Sequence, residues 1–337
     1  MSVIKIADSD VAFACSADDT ITRAALRAGL GMPYECNVGS CGTCKIELLD
    51  GEIESAWPAA PALSERDRSK NRVLGCQTHP HGDCTIKVRL AQQYVPAHRP
   101  RRFTTTLTAV RDITHDIREF HLRADESLPF LPGQYALLSL PGVPGQRAYS
   151  MSNAVDAEGA AIWEFQIKRM PGGQGTTVLF DKLQINDCIG MDGPFGSGYL
   201  REDSPRDVVC ISGGSGISPM LSIARAMMRK PAMAARKLHF FYGGRALRDI
   251  CGETELRALP GFGERLLYYP SLSIAEPGDN WNGHTGFVHE NVLTTVGGAP
   301  ADYEYYFAGP PAMTQATQRL LIQNKVPLSQ MHFDQFY

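Results

Sequence analysis

Cys36, Cys41, Cys44 and Cys76 fall as C-x4-C-x2-C followed, after a long gap, by a fourth cysteine. This is the ligand spacing of a plant-type 2Fe-2S cluster, in which one short loop supplies three thiolates and a distant strand end the fourth. The residues between the cysteines agree with it. Gly39, Ser40, Gly42 and Thr43 let the backbone curl tightly, and their N–H groups can point at sulfides and tune a potential. Cys41-x2-Cys44 with Cys76-x2-His79 also reads as a Cys3His zinc set, but that set leaves Cys36 unused. An iron–sulfur site moves electrons singly, so a source of electrons should be encoded elsewhere in the chain.

The bulk numbers set limits. A chain of 337 residues suits two or three domains. A net charge of -3 without a basic run argues against a nucleic-acid partner. No stretch approaches 18 uninterrupted apolar residues, so no membrane span is expected. The start, Met1-Ser-Val-Ile-Lys, has no apolar signal core. Nine cysteines, an odd number without a signal, argue against a disulfide framework and for a cytoplasmic location. Cys15, Cys84, Cys188, Cys210 and Cys251 follow no ligand spacing and read as small apolar residues.

Three segments follow in series, and together they predict a multidomain α+β protein. Residues 1–92 predict a β-grasp unit: a hairpin of Val3–Ile6 and Val11–Ala14, a short helix capped by Thr20 and ended by Gly29, the cysteine loop, and strands at Ile46–Leu49 and Thr85–Leu90. Residues 93–102, with Pro96, Pro100 and three arginines, read as a linker. Residues 103–203 predict an antiparallel barrel with strands at Phe103–Val110, Ile117–Leu122, Tyr135–Leu140 and Ile162–Lys168. Residues 204–337 alternate strand and helix, which predicts a parallel sheet covered on both faces.

Further motifs lie on these later segments. Arg147-Ala-Tyr149-Ser150 sits on a predicted barrel strand. A flavin needs a cation for its phosphate, a flat ring beside its own and a hydroxyl near its reactive nitrogen, and these three side chains can meet those needs. Taken alone they define only an anion site beside an aromatic. Gly172-Gly173-Gln-Gly175-Thr176-Thr177 opens an apolar helix and suits a pyrophosphate, or is simply a helix start capped by a threonine. Ile211-Ser-Gly213-Gly214-Ser-Gly216-Ile-Ser-Pro219 joins a buried strand to a helix. It is neither a full G-x-G-x-x-G fingerprint nor a P-loop, yet its glycines let a dinucleotide approach. Arg245, Arg248 and Asp249 end the next strand, where an acid would hold a ribose hydroxyl or a charge would merely be solvated. Phe307-Ala308-Gly309-Pro310-Pro311 closes a late strand, and the chain ends in Phe333-Asp-Gln-Phe336-Tyr337.

In this order the motifs resemble the ferredoxin–NADP reductase superfamily. The resemblance covers nearly the whole chain and is strongest to the reductase components of bacterial multicomponent oxygenases that carry an N-terminal ferredoxin. It implies a 2Fe-2S cluster on Cys36, Cys41, Cys44 and Cys76. It implies FAD beside Arg147, Tyr149, Ser150, Asn153, Lys168, Gly175, Thr176, Thr177, Phe336 and Tyr337, with Ser150 in the catalytic role. It implies a nicotinamide dinucleotide on Gly213, Gly214, Gly216, Arg245, Gly309 and Pro310. NADH is the donor the resemblance implies, and Arg245 and Arg248 leave NADPH open. The implied partner is an oxygenase hydroxylase component or a small Rieske-type ferredoxin; a reductase serving a desaturase or another acceptor is the alternative. One departure stands out: where many relatives have Cys-Gly-Pro-Pro, this chain has Ala308, so hydride geometry must come from packing. The first 90 residues hold 10 Lys and Arg against 12 Asp and Glu, which predicts only modest electrostatic steering of a partner.

Overall fold

Buried apolar residues recur at every second position in the first strands, and they organise a small mixed sheet. The computed structural model describes residues 1–155, 158–276 and 278–335. In the N-terminal part, β1 (Ser2–Ile6), β2 (Ala12–Cys15), β3 (Lys45–Asp50), β4 (Ile53–Ser55), β5 (Arg72–Leu74), β6 (Thr78–Pro80) and β7 (Cys84–Lys87) surround helix α1 (Ile21–Arg27) and the short α2 (Glu65–Arg68). The main sheet runs β2-β1-β7-β3-β5, with β4 and β6 as a separate ribbon. β1 pairs parallel with β7 and antiparallel with β2, which is the expected β-grasp arrangement. Ile4, Ile21, Leu26 and Ile86 are fully buried between helix and sheet.

The middle strands are β8 (Arg101–Asp112), β9 (Ile117–Leu128), β10 (Tyr135–Ser139), β11 (Arg147–Ser150), β12 (Ala160–Lys168) and β13 (Cys188–Phe195), with α3 (Gln174–Asp181) between the last two. They form one sheet in the order β11-β10-β13-β8-β9-β12. β9 pairs antiparallel with both β8 and β12. The long strands β8 and β9 extend past their sequence-based bounds because each continues pairing through a bulge or an exposed hairpin end.

The C-terminal part contains β14 (Asp207–Gly213), β15 (Leu238–Gly244), β16 (Leu266–Leu272), β17 (His284–Thr285), β18 (Tyr303–Gly309) and β19 (Met331–Gln335). Helices α4 (Ile217–Arg229), α5 (Glu253–Arg257), α6 (Val288–Val296) and α7 (Pro311–Gln323) complete it. All of its strand pairs are parallel, in the order β17-β16-β15-β14-β18-β19. The near-continuous apolar runs of β14, β15 and β18 follow from burial on both faces. One face packs on α4 and α5 through Cys210, Phe240, Leu221 and Leu256. The other packs on α6 and α7 through Ile211, Phe241, Val292 and Leu321.

By contacts the described chain forms two compact units: Met1–Phe103 with Ala136–Ala148 and Met191–Ser197, and the remainder. The first unit is fastened by buried charge. Asp192, fully buried on β13, accepts from Arg27 at 2.8 and 2.6 Å, and Arg27 also bridges to Asp19 at 2.7 Å. Arg102 reaches the same Asp19 at 2.7 Å. The stretch expected as a linker is therefore pinned through Arg102 and through its Pro100 carbonyl, to which Arg27 donates at 3.2 Å. Thr20 does stand at the N-terminus of α1, but its hydroxyl makes no cap hydrogen bond. Breaking a buried pair leaves a stranded charge and costs about 3 kcal/mol or more. Asp192→Ala should therefore lower unfolding stability by roughly 3 kcal/mol in urea titration; a change too small to resolve would show that the carboxylate is not the fastener.

Candidate functional site

The cysteine loop takes a shape that ordinary residues resist. Asn37, Gly39 and Gly42 all have positive φ, at 55, 88 and 81°, a left-handed region that most residues adopt rarely. The four thiols fall into two pairs. Cys44 and Cys76 are buried with sulfurs 3.2 Å apart, and the Cys36 sulfur accepts the Cys41 N–H at 3.4 Å. Each pair shares a proton unequally. Hydrogen bonding from Cys36 pushes the Cys41 thiol down to about 5 while Cys36 is pushed up. The Cys44–Cys76 hydrogen bond likewise raises Cys44 and lowers Cys76. Four thiols gathered in two close pairs suit a pair of bridged irons taking two sulfurs each, so the donor set fits the cluster. The other cysteines differ. Burial pushes the Cys15 and Cys251 thiols up to about 12, and Cys210 is raised by burial alone. His79 pairs through its backbone with Glu54 across the β4–β6 ribbon.

The residues expected around a flavin are spread over β11, β12 and α3. Ser150 is buried at the end of β11, and its carbonyl accepts from Ser218 Oγ on α4 at 2.7 Å. The same hydroxyl accepts the Gln166 N–H at 3.1 Å. Arg147 lies in the first compact unit, with its guanidinium on the Pro144 and Gln146 carbonyls at 3.0 and 3.2 Å. Tyr149 is half-buried. Asn153 spends its side-chain amide on β12, donating to Ile162 O at 2.8 Å and accepting Glu164 N–H at 3.1 Å. Lys168 pairs with Asp116 at 2.5 Å.

The glycine-rich turn before α3 does open a helix, but its cap is Gly173, not a threonine. Thr176 Oγ1 instead ties back to Met170 N–H at 3.1 Å. Gly172 at φ +69° faces open space. The Thr177 N–H is already bonded to Gly173 O at 2.9 Å, whereas Gly175 lies in the first turn of α3, where a helix presents unpaired N–H donors. That fits a phosphate. Phe336 and Tyr337 lie outside the described residues.

The parallel sheet reverses its winding between β14 and β18, and ligands of such sheets bind outside the strand ends at that reversal. Gly213, Gly214 and Gly216 leave β14 there, beside Gly309 at the end of β18. A Cβ on Gly216 would stand 2.0 Å from the Ala308 carbonyl oxygen, and one on Gly309, at φ +147°, would stand 2.9 Å from Gly213 O. Only glycine permits this approach. Pro310 follows directly and Met313 packs on Gly213. The Lys168 stem lies against Gly214, which brings a residue expected at the flavin to the nucleotide loop. Arg245 and Arg248 are exposed past β15. The Asp249 carboxylate accepts the Ala246 N–H at 3.0 Å and lies 3.7 Å from the His115 ring, so it is engaged in the turn.

Sequence reading missed three residues of α4. Ser218, Ser222 and Arg225 line one helix face at i, i+4 and i+7. Ser222 Oγ donates to Asn153 O at 2.6 Å, and Arg225 donates to Ser152 O at 3.0 Å and to Glu164 at 2.7 Å. Their polar spacing in an otherwise apolar helix was the available signal.

These sites define a flavin- and iron–sulfur-dependent oxidoreductase with a nicotinamide-binding domain. Comparison with known proteins agrees segment by segment. Residues 4–81 match the 2Fe-2S iron-sulfur cluster binding domain, 104–199 the oxidoreductase FAD-binding domain and 210–319 the oxidoreductase NAD-binding domain. The chain is 39% identical over 325 residues, 96% of each chain, to a ferredoxin–NAD(P)+ reductase of Metapseudomonas resinovorans. It is 37% identical over 327 residues, 96% of this chain and 97% of the other, to the ferredoxin–NAD+ reductase component of the alkene monooxygenase system of Xanthobacter autotrophicus. The solved ferredoxin reductase in carbazole 1,9a-dioxygenase superposes with a TM-score of 0.91 at 36% identity, covering 100% of this chain and 98% of that one. The chain belongs to the ferredoxin–NAD(P)+ reductase family. Among the described residues no helix is long and apolar enough to cross a membrane.

The close approach at the sheet reversal gives a direct test. Gly216→Ala should weaken NADH binding by about tenfold or more, since even about 1.4 kcal/mol of forced separation produces that loss. Bound flavin, read from the visible spectrum, should be retained. Unaltered NADH affinity would place the dinucleotide elsewhere.

Proposed function

We infer that this chain is the reductase of a multicomponent oxygenase, carrying electrons from NADH through FAD and a 2Fe-2S cluster to the oxygenase component or to a small ferredoxin that serves it. The observation that carries the reading is the presence, in one chain, of a paired four-thiol pocket and a glycine-lined sheet reversal with a buried serine strand beside its helix. When bound, the cofactors supply hydride acceptance and the release of electrons one at a time.

The chain's own residues bind and orient. The β14 and β18 glycines let a dinucleotide reach the strand ends, with Pro310 beside them. Ser218 and Ser222 hold the backbone of β11 and the residues after it, which fixes where the Ser150 hydroxyl stands. Arg147 is the phosphate cation of the flavin, and the first turn of α3 receives the pyrophosphate. Ala308, fully buried, supplies packing where a thiol is absent, and Met313 closes the space behind the loop. The domains behind this division are residues 1–92, 103–203 and 204–337, joined by 93–102. NADH supply makes the cytoplasm the working compartment. The names of several relatives support the acceptor class: phenol, propane and xylene or toluene monooxygenase components occur among them.

Cys36→Ser separates the two halves of the task. NADH-driven reduction of a dye that accepts from flavin should persist, while reduction of a one-electron protein acceptor should fall to background. Equal loss of both would refute the division of labour. Arg147→Ala should loosen FAD by about tenfold or more, because a hydrogen bond to a charged group contributes ~1.5–3 kcal/mol; undiminished flavin content after dialysis would argue for another phosphate partner.

A further inference from the structure

Asn37 directly follows the first cysteine of the loop and is only 1% exposed. Its backbone stands at φ +55°, a left-handed conformation that asparagine tolerates better than most residues. Its carbonyl accepts from Arg23 at 2.9 Å and from the side chain of Gln77, the neighbour of Cys76, at 3.5 Å. Asn37 therefore lies between the two stretches that carry the cluster cysteines. Its side chain is another matter. Neither Nδ2 nor Oδ1 has a hydrogen-bond partner among the described residues. Burying an amide without its hydrogen bonds is costly, and buried polar groups are paired almost without exception. The same loop shows the cheaper solution twice, since Gly39 and Gly42 take positive φ with no polar side chain to desolvate. A second orphan flanks the other stretch. Thr22 Oγ1, fully buried on α1, also lacks a partner among the described residues, and a Cβ on Gly75, just before Cys76, would stand 2.5 Å from it. Unmet polar groups thus gather where a group other than polypeptide is expected.

We propose that the Asn37 side-chain amide is a hydrogen-bond donor to the cluster, giving an Nδ2–H to a sulfide or a cysteine sulfur and raising the reduction potential. This rests on the assignment of the four-cysteine pocket to a 2Fe-2S group. Sulfides and thiolates have no proton to give, so only the nitrogen end of the amide can meet them. Reduction of the group adds one electron and one negative charge, with no thiolate bond made or broken. A donor to sulfur stabilises the more negative form, and hydrogen bonds to the sulfurs are among the terms that set such potentials. The side chain is neutral and short, and the left-handed backbone fixes its origin, so it can hold a donor in place without adding charge to the loop.

The test begins with the unaltered holoprotein, produced with asparagine isotopically labelled at the side-chain nitrogen and reduced with dithionite. Pulsed electron-paramagnetic spectra should show a coupling between the unpaired electron of the cluster and that label. The coupling should vanish in Asn37→Gly, which keeps the backbone conformation, and in Asn37→Asp, which keeps the shape of the side chain. In a mediated titration, Asn37→Gly should make one-electron reduction about tenfold less favourable, roughly 59 mV lower. A cluster with no coupling to the label would overturn the proposal and mark the amide as the partner of a buried water. So would a coupling that survives in Asn37→Asp, or a potential that Asn37→Gly leaves unchanged. If Asn37→Gly fails to retain iron, the coupling in the unaltered protein and its loss in Asn37→Asp decide the matter. Iron and sulfide are measured on each sample, and their absence from the unaltered protein would instead remove the cluster reading itself, and this inference with it.

Discussion

Two arginines one turn apart on a seven-residue helix hold the first compact unit together. Arg23 and Arg27 stand at i and i+4 on α1, so they share a face. Arg27 gathers Asp19, the Pro100 carbonyl and Asp192; Arg23 gathers the cysteine loop and Gln146. A helix this short has little stability of its own. It persists because its arginines are satisfied by partners from five separate stretches of chain, and because Ile21, Ala25 and Leu26 are fully buried beneath it. Arginine is the residue suited to this, since one planar fork can serve several oxygens at fixed angles.

The second unit depends on a different constraint, the absence of side chains. At the reversal between β14 and β18 the backbones come so close that only hydrogen fits at Gly216 and Gly309. The tight seam draws α4 against the strand ends. Ser218 and Ser222 then face the carbonyls of Ser150 and Asn153. Hydroxyls suit this because each donates to a carbonyl and still accepts an N–H, as Ser218 does from Gln166 and Ser222 from Gly133 at 3.3 Å. The glycine loop therefore sets the position of α4 and, through its serines, of the strand beside it.

Local signals survived the passage from sequence to structure, and distant ones did not. The cysteine spacing needs only a loop and a strand end, and it was readable for that reason. The parallel strands were readable because burial on both faces leaves continuous apolar runs. Asp192 carried no such mark: its partner Arg27 lies 165 residues away. The Ser218 and Ser222 hydroxyls reach carbonyls 68 and 69 residues distant. Asn153 shows a contact that its motif did not announce. Its place in a flavin-like motif drew attention, yet its amide is spent on tying β12. Residues 331–335 read only as a chain end, whereas the edge of β18 recruits them as a sixth parallel strand.

Net charge is a poor guide to the field at the cluster. The first 90 residues are slightly acidic, 12 against 10, which taken alone would disfavour an added electron. But charges such as those of Asp8, Asp18 and Glu54 are mostly exposed, and water and salt screen them beyond about 10 Å. Asp19 and Asp192 are buried, yet both are neutralised by Arg27 and Arg102. The acidic composition is therefore a weak guide, because burial and pairing decide which charges the cysteine pocket experiences.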